Sequence, residues 1–179
     1  MDHFDDAFAL TLGHEGGYAD DPADRGGRTK YGITEAVFRD ALNRAVISGV
    51  SDIRDLTVAQ AKAIYRIDYW LGISLHEVRN AGVAAEIFDT AVNMGTASAV
   101  RIAQRALNYL GEKLAVDGVM GPATLAAVNK WCARDSRALF VCLNGFQFMR
   151  YTEITGNDES QAKFARGWTK RIQEYRKAA

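Results

Sequence analysis

The stretch Gly13-His14-Glu15-Gly16-Gly17-Tyr18-Ala19-Asp20-Asp21-Pro22-Ala23-Asp24-Arg25-Gly26-Gly27-Arg28-Thr29-Lys30-Tyr31-Gly32-Ile33-Thr34 interrupts a chain that otherwise reads as helix. Its glycine pairs and Pro22 break any continuous helix and punctuate turns. The spacing leaves room for short strands around Tyr18 and Tyr31–Ile33. Upstream, Phe4, Phe8 and Leu12 recur every fourth residue, with Asp2 and Asp5 where a helix N-terminus favours negative charge. That predicts a first helix over about 3–14. Downstream, Thr34 caps a helix carrying Val37, Phe38, Ala41, Leu42 and Val46.

Further along, the helical period continues. Thr57 and Gln60 fit a capping box that opens a helix through Ile64, Tyr65 and Trp70. Residues 84–94 are nearly all apolar and predict the central buried helix, followed by one over 100–110. Gly121-Pro122 marks a helix start with proline at its first position, and that helix runs through Trp131. A long apolar helix over about 136–154 and a basic one over about 158–176 complete the chain. The expectation is a mainly α fold of about eight helices with one turn-rich, partly β loop. With 179 residues and no linker or repeat, it reads as a single domain, residues 1–179.

Composition excludes several classes. At 48% hydrophobic and 25% charged residues, the chain is neither disordered nor collagen-like. Cys132 and Cys142, ten apart, fit neither a redox pair nor a zinc site and read as reduced core thiols. His3, His14 and His76 show no ligand spacing, so neither metal nor cofactor is expected. The segment Met1–Asp6 has no basic region followed by an apolar stretch, and no apolar run approaches a membrane span. A cytoplasmic protein without stable membrane insertion is therefore expected. Zero net charge hides an asymmetry: residues 1–90 hold nine Lys/Arg against fifteen Asp/Glu, and residues 91–179 hold thirteen against seven. A basic back half either faces an anionic partner or is merely a solvated surface. With no recognition motif, nucleic acid is not an expected partner.

The interrupting loop is where chemistry is expected. A carboxylate followed by two glycines allows close approach of backbone or substrate, and more carboxylates lie within ten residues. Glycoside hydrolysis needs two carboxyls about one bond, one protonated and one ionised. Glu15, ending an apolar helix, is placed to keep its proton. Asp24, among Gly and Arg, stays ionised and orients water, and the Thr29 hydroxyl holds that water. Asp20 and Asp21 are rivals for the second carboxyl. Tyr31, Tyr69 and Trp70 either stack on sugar or fill the core. Asp89 and Asn93, one turn apart, either bond within the core or line a sugar cleft. His14 reads as structural.

The strings H-E-G-G-Y and D-P-A-D-R-G-G-R-T-K-Y-G-I-T closely resemble the signature of glycoside hydrolase family 108 muramidases, phage endolysins and their bacterial relatives. The resemblance continues through Asp68-Tyr69-Trp70 and Phe88–Gly95. It reaches Val116–Thr124, which is similar to the family's peptidoglycan-associated region. It implies a lysozyme-like helical fold, with 1–95 as catalytic part and 96–179 as C-terminal helical part. It also implies cleavage of the β-1,4 bond between N-acetylmuramic acid and N-acetylglucosamine, with Glu15 as general acid. Phage lysozymes often place a Thr six residues after the Asp; here Lys30 stands there and Thr29 is one residue earlier. The implied partners are peptidoglycan glycan strands and a holin that gives access to the wall. A lytic transglycosylase, which needs only the Glu, and a non-catalytic wall-binding or secretion-assisting module are the alternatives. The turn Asp117–Thr124 and the basic tail around Phe164, Trp168 and Ile172 each fit either wall contact or plain structure.

Overall fold

The structure is a computed structural model, and it describes residues 2–12, 17–20 and 27–172. Helix α1 (Phe4–Leu12) is followed by a three-stranded antiparallel sheet of β1 (Tyr18–Ala19), β2 (Thr29–Lys30) and β3 (Ile33–Thr34). Next come α2 (Glu35–Asn43) and α3 (Val58–Ile64), the latter running on as a π-helical stretch, Tyr65–Leu71. Helices α4 (Ala81–Met94), α5 (Thr96–Tyr109), α6 (Pro122–Asn157) and α7 (Ala162–Thr169) complete the described fold. It is mainly α, as the sequence leads one to expect.

Several helices begin at side-chain caps. Asp2 Oδ1 accepts from the Phe4 N–H at 3.2 Å. Thr34 accepts from the Val37 N–H, and Thr57 with Gln60 forms a complete reciprocal box. Helix α6 starts with proline at its first turn after Gly121, which supplies no side-chain cap. The last third divides where the sequence reading expects: the helical stretch Pro122–Asn157 is two helices, broken at Asp135 with φ −162° and ψ 83°. Asp135 Oδ1 then accepts from the Ala138 N–H at 2.9 Å, recapping the second segment. Counting α6 as those two segments gives eight α-helical segments among the described residues, besides the π-helical stretch and three short 3-10 turns. The tail helix is shorter than 158–176: α7 ends at Thr169, and Arg171 turns inward.

Helix α4 is the centre. It packs on α1, α5, α6 and the π-helical stretch, and Val83, Ala84, Ile87, Phe88 and Ala91 are fully buried. Phe4, Trp70 and Phe88 meet edge to face with ring centroids 5.6–5.8 Å apart. Such pairs add about 0.5–1.5 kcal/mol each beyond burial. One hydrophobic core extends from Phe4 to Leu143, across both halves of the chain.

The turn after α5 is built around the buried Gln104. Its Oε1 accepts from the Gly118 N–H at 3.0 Å, and its Nε2 donates to Asp117 Oδ1 at 2.7 Å. Gly118 has φ +83°, and a Cβ there would lie 2.9 Å from the Ala97 carbonyl oxygen. Only glycine lets the turn sit this close to α5. Both cysteines are free and half-buried rather than fully in the core, and burial pushes the Cys132 thiol up to about 11. No helix of the described residues is long and apolar enough to cross a membrane.

Candidate active site

Glu15 and Asp24, with His14 and Asp21, lie outside the described residues. What the structure describes is the frame on either side of them. Helix α1 ends at Leu12, three residues before Glu15. β1 pairs with β2 in the register Tyr18–Lys30 and Ala19–Thr29, so residues 20–28 form the connection of a hairpin, and Asp24 falls in that connection. β2 pairs with β3 through Lys30–Ile33 and Thr29–Thr34.

The two-residue turn from β2 to β3 has positive φ at both centres, 52° at Tyr31 and 74° at Gly32. That is the geometry of a type I′ hairpin, which matches the twist of its strands. Gly32 adopts it freely, whereas Tyr31 pays a steric cost. The Tyr65 hydroxyl donates to the Tyr31 carbonyl at 2.9 Å and holds the turn against the helical body. Tyr31 itself is half-buried against the core, and Thr29 is half-exposed on β2.

Arg28 anchors the far end of the hairpin connection. Its Nε donates to the Tyr18 hydroxyl at 3.0 Å, its Nη2 to Asp52 Oδ1 at 2.5 Å, and its Nη1 lies 3.6 Å from Glu35. Tyr18 in turn donates to Asp20 Oδ2 at 3.1 Å, which gives this exposed rival carboxylate a structural partner. The Arg54 guanidinium bonds both Asp52 oxygens. Together with the Arg54 N–H and Arg28, it holds the Asp52 carboxyl well below the usual carboxylate range. Lys30 donates to the Arg54 carbonyl. Sheet, α2 and the turn at 52–55 are thus tied together around the ends of the loop.

Burial corrects two of the expected sugar contacts. Trp70 is 0% exposed, so its ring packs on Phe4 and Phe88 and offers no face to a sugar. Asp89 is 2% exposed, and its Oδ1 accepts from Arg171 Nη1 at 2.8 Å. Asn93 accepts from the Tyr151 hydroxyl at 3.2 Å and lines a recess of about 130 Å³ with Met94, Ser98, Arg150 and Trp168. Asp89 and Asn93 therefore join α4 to α6 and the tail. Tyr151 stacks on Trp168 at 5.2 Å, which docks α7 at the same junction.

A groove of about 740 Å³ opens between α2, the π-helical stretch and the α4–α5 turn. Tyr69, one of the expected stacking residues, lines it with Gly95 and Thr96. Asp40, Arg44 and Asp68 line it too: Arg44 Nη2 donates to both Asp68 oxygens, at 2.8 and 2.7 Å, and its Nε donates to Asp40 at 2.7 Å. Sequence reasoning missed the Arg44–Asp68 pair because 24 residues separate its members. The i,i+4 spacing of Asp40 and Arg44 was the available signal. Among the described residues, no three His, Cys, Asp or Glu side chains gather as metal ligands.

Comparison with known proteins gives three findings. Residues 8–95 match the family model described as glycosyl hydrolase 108. Residues 98–173 match a model described as a predicted peptidoglycan domain. Among solved structures, that of Brucella abortus SagA is 32% identical with a TM-score of 0.75, covering 94% of this chain and 88% of that one. No curated protein matches. The boundary between the two family models falls at the tight α4–α5 turn, where Gly95 takes φ +84°.

Proposed function

The chain belongs to the glycosyl hydrolase 108 family, and from that premise we propose that it is a muramidase with Glu15 as general acid. It is a glycoside hydrolase acting on peptidoglycan; the bond cleaved and the residues that cleave it are the proposal. Glu15 gives its proton to the glycosidic oxygen as the bond from N-acetylmuramic acid breaks and the anomeric carbon gains oxocarbenium character. Asp24 takes a proton from a water held by the Thr29 hydroxyl, and that water adds to the opposite face. The products are a reducing muramic acid end and a free hydroxyl on N-acetylglucosamine. Glu15 ends ionised and Asp24 protonated, and solvent resets both.

The order of elements is what carries this reading. A helix ends three residues before Glu15, and a paired hairpin holds the two ends of the Asp24-bearing connection side by side. Thr29 stands on the strand that closes this connection. Tyr31 and Tyr69, both half-buried, remain the aromatic candidates for sugar contact, and Asn93 the polar one.

Mass spectrometry of sugars released from purified peptidoglycan tests the bond. Reducing muramic acid ends are expected. Ends in 1,6-anhydro-muramic acid would replace hydrolysis by transglycosylation, and a folded protein that releases nothing would leave only wall binding. An endolysin role extends the proposal through the resemblance to phage enzymes. Expression in host cells should then clear the culture with a co-expressed holin and not without it, and equal clearing in both cultures would overturn that role.

A further inference from the structure

The region matched to a peptidoglycan domain carries an exposed surface that the catalytic proposal leaves unused. On α5, Arg101, Arg105 and Tyr109 stand four residues apart and are all exposed, so they form one ridge along the helix. Tyr109 is 75% exposed, the highest value among the exposed large apolar side chains. It is nonetheless held in place, because its ring meets Phe146 of α6 edge to face at 6.2 Å and 70°. Beyond Phe146, the outer face of α6 continues apolar through Met149, Gly145 and Val141, with Val141 57% and Met149 54% exposed. A cationic ridge therefore runs into an apolar shelf, and the two join at a fixed pair of rings.

Neither arginine is neutralised by a close ion pair among the described residues. Arg101 lies over the turn at Gly118 and acts on Asp117 through space. Exposed guanidinium groups without a close ion pair, beside the exposed Tyr109 ring, suit a ligand with carboxylates next to apolar faces. A peptidoglycan strand has that chemistry. Its pyranose rings present C–H faces and N-acetyl methyl groups, and its stem peptides carry carboxylates. The basic balance of residues 91–179, thirteen Lys/Arg against seven Asp/Glu, points the same way.

We propose that the α5 ridge Arg101–Arg105–Tyr109 and the adjoining α6 face at Phe146 and Met149 form a glycan-strand binding surface separate from the catalytic loop. The rings stack on the sugars, and the arginines bond the stem carboxylates. This rests on the reading of peptidoglycan as the polymer acted on. It adds the surface that keeps the enzyme on the insoluble wall between cuts.

The test compares the wild type with Tyr109→Ser, Arg105→Ser and their double variant, each checked by melting. Two readouts are taken: co-sedimentation with insoluble peptidoglycan, and cleavage of a soluble muramic acid-containing tetrasaccharide. The double variant should bind the insoluble wall at least about tenfold more weakly, a change of about 1.4 kcal/mol. Tetrasaccharide cleavage should stay within twofold. Tyr109→Trp, which keeps a ring, should restore sedimentation to within about twofold. Unchanged sedimentation of the double variant overturns the proposal, and so does a Tyr109→Trp variant that binds as weakly as Tyr109→Ser. A wild type that is a dimer by light scattering and dissociates on these substitutions also overturns it, because the face is then an interface between copies. If the wild type sediments but cleaves no tetrasaccharide, the catalytic reading fails and the binding surface is still measured independently.

Discussion

Glu15→Gln is expected to reduce the formation of reducing muramic acid ends by about 10²–10⁴-fold, the range over which a positioned general acid acts. The amide matches the carboxylic acid in size but has no acidic proton, so the leaving oxygen must depart as a poorly stabilised alkoxide. Binding to peptidoglycan and the melting temperature should stay close to wild type, because the change removes a proton and not a volume. Asp24→Asn should lose rate by a similar factor if Asp24 is the base, and Thr29→Ser should keep most of the activity that Thr29→Ala loses. The carboxyl separation adds a second check: inverting pairs sit roughly 6.5–9.5 Å apart and retaining pairs about 5–5.5 Å. A Glu15→Gln enzyme retaining more than a third of wild-type turnover would remove the general acid from Glu15 and with it the proposed mechanism.

Local chemistry made much of the frame legible. The caps at Thr34 and Thr57 mark helix starts through bonds made within three residues, so the sequence contains both partners side by side, and the proline at α6 marks its start through its fixed φ. The β2–β3 turn is likewise local, since Gly32 supplies one of its two positive φ values. Long-range pairing was not legible. Asp89 and Arg171 are 82 residues apart, and no periodicity predicts that a tail cation reaches the central helix. Trp70 shows the other limit. Helical spacing alone allows a ring to face either the core or a cleft, and only the packing of Phe4 and Phe88 around it decides. The π-helical turn at Tyr65–Leu71 was also invisible, because its residues carry an ordinary helical pattern while the backbone ladder shifts by one.

The second large effect concerns a group that the proposed chemistry does not use. Glu86 is 1% exposed on α4 and makes no ion pair among the described residues. Burial, reinforced by the charge of Asp89 three residues on, pushes its carboxyl up to about 8, against a weaker opposing hydrogen bond from Asn144 of α6. Tyr151 of α6 and Arg171 of the tail also belong to this cluster, and the Tyr151 phenol is itself pushed up by burial. Arg171 bonds Asp89 at 2.8 Å, so the cluster's nearby cation is already engaged and Glu86 keeps its proton. The folded chain then binds one more proton than the unfolded chain between about pH 4.5 and pH 8. Stability from this group is complete below that window, falls as pH rises through it, and is lower by about 3 kcal/mol at pH 7. Gln, which resembles the protonated acid and cannot ionise, removes the dependence. Glu86→Gln should therefore melt at nearly the wild-type temperature at pH 4 and about 6–12 °C higher at pH 7. Comparing the two proteins across pH cancels the titration of every other carboxylate. A melting difference that stays constant from pH 4 to pH 8 would mean that Glu86 titrates alike in both states, and that the α4–α6 junction holds a charged carboxylate after all.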